Sequence, residues 1–313
     1  MTIMLYLFVF AGCVMLLFGL YTLLRDRAIR TKFPAQGEFT QVSGGTLHWT
    51  VRGEGQAVVL VHGLAGNLHN FSDLEEVLTK KYKVYCLDRP GSGHSKRSLH
   101  TAPNFTQQSA MIAEWMTKQN IENAIFVGHS MGGGISLNLA INAPEKVKGL
   151  ALICPLSAPL NIQATHFSTW FLRSKILRLI ISKAFSPMIQ RKIGRRQVNA
   201  IFKPEKPSAD FAHRYGGALS MLSSAFFAAT NDLAGAQHSI EAQIPHYSAI
   251  KCPVNVLFGE GDRILPYQPH TEVIAKSVPH ANITVMPNRG HMLPVTAIDA
   301  CCDLVDNIVL TQA

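Results

Sequence analysis

The sequence predicts an α/β domain on a mostly parallel sheet, preceded by a membrane-crossing helix and interrupted by a helical insertion. Three observations carry this expectation. Short apolar runs rich in β-branched residues alternate with stretches of helical periodicity. An uncharged apolar stretch opens the chain. The alternation lapses at about residue 156 and resumes at residue 252. Such alternation marks βαβ units, whose helices cover both faces of a parallel sheet.

Taken in order, residues 2–24 carry no charged side chain, and Arg25, Arg27, Arg30 and Lys32 follow directly. As a helix this stretch would extend about 34 Å, enough to cross a hydrocarbon core of about 30 Å. A cleavable signal would show a basic n-region and a shorter apolar core, and neither is present. Phe10-Ala11-Gly12-Cys13 faintly resembles a lipoprotein box, yet the chain stays apolar beyond it. An uncleaved anchor over residues 2–24 fits best, with residues 25–37 as a tether. Because the basic residues lie only on its C-terminal side, the positive-inside rule puts the domain on the cytoplasmic side of a bacterial-type membrane. If the segment is only an anchor, removing residues 1–30 should leave an active, soluble enzyme.

Strands are expected at 46–52, 57–61, 83–87, 124–127, 148–154, 254–258 and 283–286. Helices are expected at 71–81, 106–119 and 131–143, with 170–185 and 217–229 inside the insertion. The division that follows is a core of residues 38–156 and 250–313 and a helical cap over residues 157–249. A cap there would sit above the C-terminal edge of the sheet, where open α/β sheets bind ligands. The six cysteines show no zinc-ligand spacing and several fall in strand-like runs, as buried reduced thiols would.

Gly128-His129-Ser130-Met131-Gly132 fits G-x-S-x-G between an expected strand and an expected helix. A nucleophilic serine needs that sharp, strained turn, and the helix N-terminus after it favours developing negative charge. A serine hydroxyl also needs a histidine to accept its proton and a carboxylate to fix that histidine's tautomer. Asp262, in Phe258-Gly259-Glu260-Gly261-Asp262, is the expected acid, with Glu260 the alternative. His291, after Gly290 and the last expected strand, is the expected base. Among the 13 histidines, His62 is expected to be structural, and His270 and His280, which flank an expected helix, to be solvated.

The matching motifs are His62-Gly63, the run Asp88-Arg89-Pro90-Gly91-Ser92-Gly93-His94-Ser95, the Ser130 elbow with Gly133, Gly261-Asp262 and Gly290-His291. On these the chain resembles the α/β-hydrolase fold family over residues 39–310. It is similar to the capped branch of esterases, monoacylglycerol lipases and carbon–carbon bond hydrolases. The resemblance implies backbone N–H donors to an oxyanion from Leu64 and Met131, and a turn-forming role for Asp88 and His94. Epoxide hydrolases and dehalogenases share the Asp88–Ser95 pattern but use an aspartate nucleophile, so Ser130 argues against those chemistries.

Residues 156–214 hold eleven basic and two acidic residues, a surplus equal to the formal +9 of the whole chain. Apolar residues interleave with this charge, as expected of a cap lying on an anionic membrane surface. A solvated face and the docking of an acidic acyl-carrier protein are the other readings. No nucleic-acid motif accompanies the charge. The expected activity is hydrolysis of carboxylic esters with a lipid-like acyl chain, without a metal or organic cofactor. Trp170, Phe171, Met221 and Phe226 are the candidates for the acyl pocket. Carbon–carbon bond hydrolysis and a non-catalytic receptor are the rival readings.

Overall fold

The computed structural model describes residues 2–160 and 172–311. In chain order its elements are α1 (Thr2–Lys32), β1 (Glu38–Val42), β2 (Gly45–Arg52), β3 (Ala57–Val61), α2 (Ser72–Leu78), β4 (Lys83–Leu87), β5 (Lys96–Arg97), α3 (Phe105–Lys118), β6 (Ala124–His129), α4 (Met131–Asn142) and β7 (Val147–Ile153). The insertion follows with α5 (Lys175–Ile180), a π-helical turn at Ile181–Phe185, α6 (Ser186–Phe202), α7 (Phe211–Arg214) and α8 (Ser223–Gln243). The chain then returns through β8 (Val254–Gly259), α9 (Tyr267–Ser277), β9 (Asn282–Met286), α10 (Leu293–Thr296) and α11 (Ile298–Leu310).

The sheet runs β1-β2-β4-β3-β6-β7-β8-β9, with the short β5 beside β2. Pairings of β2 with β1, β4 and β5 are antiparallel, and all those from β4 to β9 are parallel. The central strands have no solvent face. Val58 to Val61, Ile125 to Val127 and Leu150 to Ile153 are all fully buried, which accounts for their uninterrupted apolar sequence. Edge strand β9 is half exposed and β1 mostly exposed. That is why β1, with its polar Glu38, Thr40 and Gln41, gives no strand signal in sequence.

The insertion is organised by α8. Its first turns pack Ala225, with Leu219 and Leu222, against Ile29 and Phe33 of the N-terminal segment. Its middle buries Phe226, Ala229 and Leu233 against Leu64, Ala65 and Ile189. Its last turns send Ala236 and Ile240 into the main core beside Tyr247. The cap expected to end at residue 249 therefore hands over to the core well before that, along a single helix. Asp232 in α8 is fully buried and takes both Arg89 (2.9 Å) and Arg97 (2.6 Å) from the core side.

Helix α1 is long and apolar enough to cross a membrane, and its apolar window is unburied. Residues 25–32, expected as a tether, continue it. They contain no glycine or proline, and the helix stops just before Pro34, whose ring disfavours helical geometry in the residue before it. From Phe18 onward α1 docks on the cap. The Phe18 ring lies 5.4 Å from that of Phe185, and Thr22 Oγ1 donates to the carbonyl of Ala184 (3.2 Å). Arg25 donates to the Met221 carbonyl (2.9 Å). The Asp26 carboxylate accepts from Ser223 N (3.1 Å) and Ser223 Oγ (2.5 Å), so α1 caps the N-terminus of α8, whose own N-cap residue, Leu222, has no polar side chain.

Capping contacts of this kind stabilise by about 1 kcal/mol, so Asp26→Ala should lower stability by about that amount in urea unfolding. Deleting residues 2–17 should leave the docked part of α1 intact. Deletion through residue 30 removes Thr22, Arg25 and Asp26 together and should destabilise the cap. Equal thermal midpoints for the two truncations would show that the docking contributes nothing.

Candidate active site

Ser130 stands where β6 turns into α4. Its φ of 54° and ψ of −120° put a non-glycine residue in left-handed space, a conformation that costs free energy and persists only where the surroundings impose it. The surroundings do so through hydrogen bonds: Ser130 N donates to the Ile153 carbonyl (2.9 Å), and the Ser130 carbonyl accepts from Leu156 N (2.8 Å). Close packing does the rest. A Cβ on Gly132 would lie 2.0 Å from the Val61 carbonyl oxygen, and one on Gly128 would lie 2.6 Å from Gly133 Cα. Helix and strand can approach this closely only with glycine at both positions.

Asp262 follows β8, and His291 follows β9. His291 Nδ1–H donates to Asp262 Oδ2 (2.6 Å), while Asp262 Oδ1 accepts from the amides of Ile264 (2.8 Å) and Leu265 (2.9 Å). Burial works to raise the Asp262 carboxyl, but the His291 ring and these donors outweigh it and hold it below the ordinary carboxylate value. Glu260 is exposed at the surface. His129, beside the serine, donates Nε2–H to the His291 carbonyl (2.9 Å). Burial, reinforced by His291, lowers His129 to about 3, so it serves as a neutral strut.

Cys154, Asp262 and His291 are also the described group whose donor atoms, within 4.8 Å of one another, could converge on a metal ion. Asp262 and His291 spend their facing atoms on each other. Burial raises the Cys154 thiol well above its usual value and keeps it protonated. This donor set suits proton handling better than metal ligation.

Opposite Ser130 lies the turn after β3. A Cβ on Gly63 would lie 3.4 Å from Ser130 Oγ, which measures how near the turn comes. The Leu64 amide belongs to the same peptide unit as the Gly63 carbonyl. That carbonyl accepts from Arg89 Nη2 (3.0 Å) and from His62 Nδ1–H (2.8 Å). His62 Nε2 in turn accepts the Arg89 amide (3.0 Å), which fixes its tautomer, and burial beside Arg89 lowers it to about 3. Neither the Leu64 nor the Met131 amide donates to an acceptor among the described residues. Asp88 works as a turn former. It accepts from Leu68 N (2.8 Å), His94 N (2.9 Å) and His48 Nδ1 (2.7 Å). Asp232 has no sequence signal as part of this site, and Arg89 enters the sequence reading only as a member of the Asp88–Ser95 motif.

Ser130, His291, Leu64 and His129 line one cavity of about 150 Å³, with Val198, Ile201 and Met221 among its apolar walls. Of the residues expected to form the acyl pocket, Met221 lines it. Phe226 does not; it packs with Ala229 and Leu233 inside the cap, because that face of α8 is turned to Ile181, Ile189 and Ile193. Trp170 and Phe171 lie outside the described residues. Helix α6, inside the expected helical cap but not singled out there, supplies Gln190, Gly194, Gln197, Val198 and Ile201 from one face. Gln190 Oε1 and Gln197 Nε2 are buried without a hydrogen-bond partner. His270, expected to be solvated, is buried and accepts the Ala158 amide at Nδ1 (2.9 Å).

Burial lowers His270 to about 4. With His62 and His129 it stays neutral in the fold, whereas the same side chains protonate near 6.5 in the unfolded chain. Their contribution is complete above pH 6.5 and is lost as pH falls toward the folded values, by about 1.4 kcal/mol per pH unit for each histidine. Urea midpoints should therefore fall between pH 7 and pH 5. A midpoint constant over that range would contradict the assignment.

Comparison with known proteins places these features in a family. The sequence profile of the α/β hydrolase fold matches residues 56–297. The dihydrolipoyllysine-residue acetyltransferase component of the acetoin cleaving system of Pseudomonas putida is 27% identical over 277 residues, 85% of this chain and 68% of that protein. Its namesake from Cupriavidus necator is 36% identical over 120 residues, 38% of this chain, and the match spans about a third (32%) of that relative's length. The pimeloyl-[acyl-carrier protein] methyl ester esterase of Vibrio campbellii is 33% identical over 107 residues, 34% of this chain and 40% of the esterase. Among solved structures, a thermophilic esterase from Thermogutta terrifontis superposes with a TM-score of 0.68 at 18% identity, covering 87% of this chain and 99% of its own. A membrane phospholipase A superposes with a TM-score of 0.68 at 21% identity, covering 98% of this chain and 97% of its own, an extent that takes in the N-terminal helix. The profile match spans most of the sheet and every motif around Ser130, and the chain belongs to the α/β-hydrolase fold family.

Proposed function

We propose that the protein is a membrane-anchored serine hydrolase that cleaves carboxylic esters of lipid-like acyl groups through Ser130, His291 and Asp262. One observation carries the reading: Ser130, on its strained turn, shares a mostly apolar cavity with His291, whose other nitrogen is held by Asp262. Ser130 Oγ makes no hydrogen bond among the described residues, so both it and His291 Nε2 are free to meet a substrate. Catalytic hydrogen bonds are often open in the absence of one.

In the mechanism, Ser130 Oγ attacks the ester carbonyl as its proton passes to His291 Nε2. The tetrahedral oxyanion accepts from the Leu64 and Met131 amides, oriented by the Arg89 contact and by the helix N-terminus. Collapse expels the alcohol with the proton from His291. Water, deprotonated by the same ring, then releases the acid and restores Ser130. Asp262 stabilises the imidazolium throughout.

The apolar wall of Val198, Ile201 and Met221 suits an acyl chain. The polar atoms Gln190 Oε1 and Gln197 Nε2, which have no partner among the described residues, suit with Asn70 and Ser220 a hydroxyl-bearing alcohol portion, a combination found in a monoacylglycerol. The apolar window of α1 supports a membrane location, and the likeness in fold to a membrane phospholipase A is in keeping with it. On the same reading the catalytic domain faces the cytoplasm, by the positive-inside rule. The exposed basic face of α6, with Lys192, Arg195, Arg196 and Lys203 beside Arg263, favours a second substrate form, an ester on an acidic acyl-carrier protein. The name of the Vibrio relative gives that reading its support.

Ser130→Ala should cut ester hydrolysis by roughly 10⁴-fold or more with the fold retained, and should abolish fluorophosphonate labelling. A panel of esters from two to sixteen carbons should show a chain-length optimum that anionic vesicles enhance. A flat profile indifferent to vesicles defeats the lipid reading. Turnover of a dienol-acid without ester hydrolysis would make the enzyme a carbon–carbon bond hydrolase, and full biological effect from unlabelled Ser130→Ala would make it a receptor.

A further inference from the structure

A second cavity, of about 520 Å³, lies where α1, the cap and the segment after β5 meet. Six cationic side chains line it: Arg30, Lys96, Arg97, Lys175, Arg178 and Lys183. No carboxylate does. Among the described residues, Arg97 is the one of the six with a carboxylate partner, Asp232 at 2.6 Å, and Asp232 is shared with Arg89. Residues 161–171 are Asn-Ile-Gln-Ala-Thr-His-Phe-Ser-Thr-Trp-Phe and contribute no acid either.

Arg178 makes the cluster unusual. It is buried, with 7% of its surface exposed, yet its acceptors are neutral: Asn231 Oδ1 (3.1 Å) and the carbonyls of Leu172 and Arg173. Its Nη2 has no partner among the described residues. Arg30 is exposed, and its acceptors are likewise neutral: His94 Nδ1 (3.2 Å) and Ser224 Oγ (3.2 Å). By contrast, buried Arg89 pairs with Asp232 and half-buried Arg289 pairs with Glu205. A buried guanidinium without a counter-charge costs several kcal/mol, and like charges around one cavity add to that cost. The need to fasten residues 172–173 explains part of Arg178's placement. It does not explain why Arg30, Lys175 and Lys183 converge on the same space.

We infer that this cavity is an anion site for a phosphate ester, distinct from the Ser130 cavity. Guanidinium forks pair with phosphate oxygens two at a time, and lysines add point charge around them. Location narrows the source. Arg30 lies six residues past Leu24, about 9 Å along α1. With Phe18 and Thr22 docked on the cap, the cavity lies beyond the docked segment, on the aqueous side of the undocked apolar stretch 2–17. The phosphate of an anionic lipid and a soluble phosphate monoester share the chemistry required.

Thermal unfolding tests this without turnover, so its outcome is independent of the hydrolytic reading. Full-length protein in zwitterionic micelles would be scanned with glycerol 3-phosphate, against chloride at equal ionic strength, and with micelles doped with phosphatidic acid. Saturating phosphate, on the order of 100 Kd, should raise Tm by about 5 °C. Arg30→Gln/Lys183→Gln should abolish the rise while the ligand-free Tm stays near that of the parent. If the double variant unfolds, Lys183→Gln, at an exposed position, should still reduce the rise. Lys192→Gln/Arg195→Gln on the basic face of α6 should keep it. A rise with both ligands means that the phosphate group alone suffices, and a rise with phosphatidic acid only assigns the site to lipid. No rise with either, or a rise that survives Arg30→Gln/Lys183→Gln, overturns the inference.

Discussion

The architecture around Ser130 depends on one fully buried carboxylate. Asp232 of α8 holds Arg89 at 2.9 Å and Arg97 at 2.6 Å, and Gln108 joins them by donating to Asp232 and accepting from Arg89. Burying these charges is costly, so the net gain over an apolar contact is small. Breaking the set is another matter, since removal of one member strands a buried charge at a cost of about 3–5 kcal/mol. Through Arg89 the same set fixes the Gly63 carbonyl, and therefore the direction of the Leu64 amide. The helix that organises the cap and the peptide that faces Ser130 are thus held by a single group.

Much of the core is legible in the sequence because its strands are buried on both faces. For β3, β6, β7 and β8 continuous apolar runs leave no other reading, and turn glycines mark where they end. The Ser130 turn, Asp262 and His291 are legible for a related reason: each follows a strand through a short, glycine-bearing segment. Elements held by tertiary contact are harder to see. Strand β1 pairs through its backbone while exposing polar side chains. Helix α6 is masked by its charge, although Gln190, Gly194, Gln197, Val198 and Ile201 form a stripe with helical spacing that polar side chains obscure.

Errors about single residues have the same origin. Phe226 is apolar and lies in the cap, but only the rotation of α8 decides whether it faces the cavity or Ile189. His270 sits at the start of a polar helix and is nevertheless buried, because Ser157 and Ala158 bring their amides to its ring. Arg89 and Asp232 are 143 residues apart, and no local pattern links them. Pairwise chemistry between distant segments becomes visible only once the chain has been folded.

Asp26 and Ser223 are 197 residues apart. During synthesis α1 is made well before the first turn of α8. The cap therefore closes late, by returning to a helix made 197 residues earlier, and contacts so distant in sequence are slow to form. Until then the amides at the start of α8 lack their acceptor and the wall contributed by Met221 is unfixed. The site around Ser130 thus gains its final shape only after the two ends of this long interval have met.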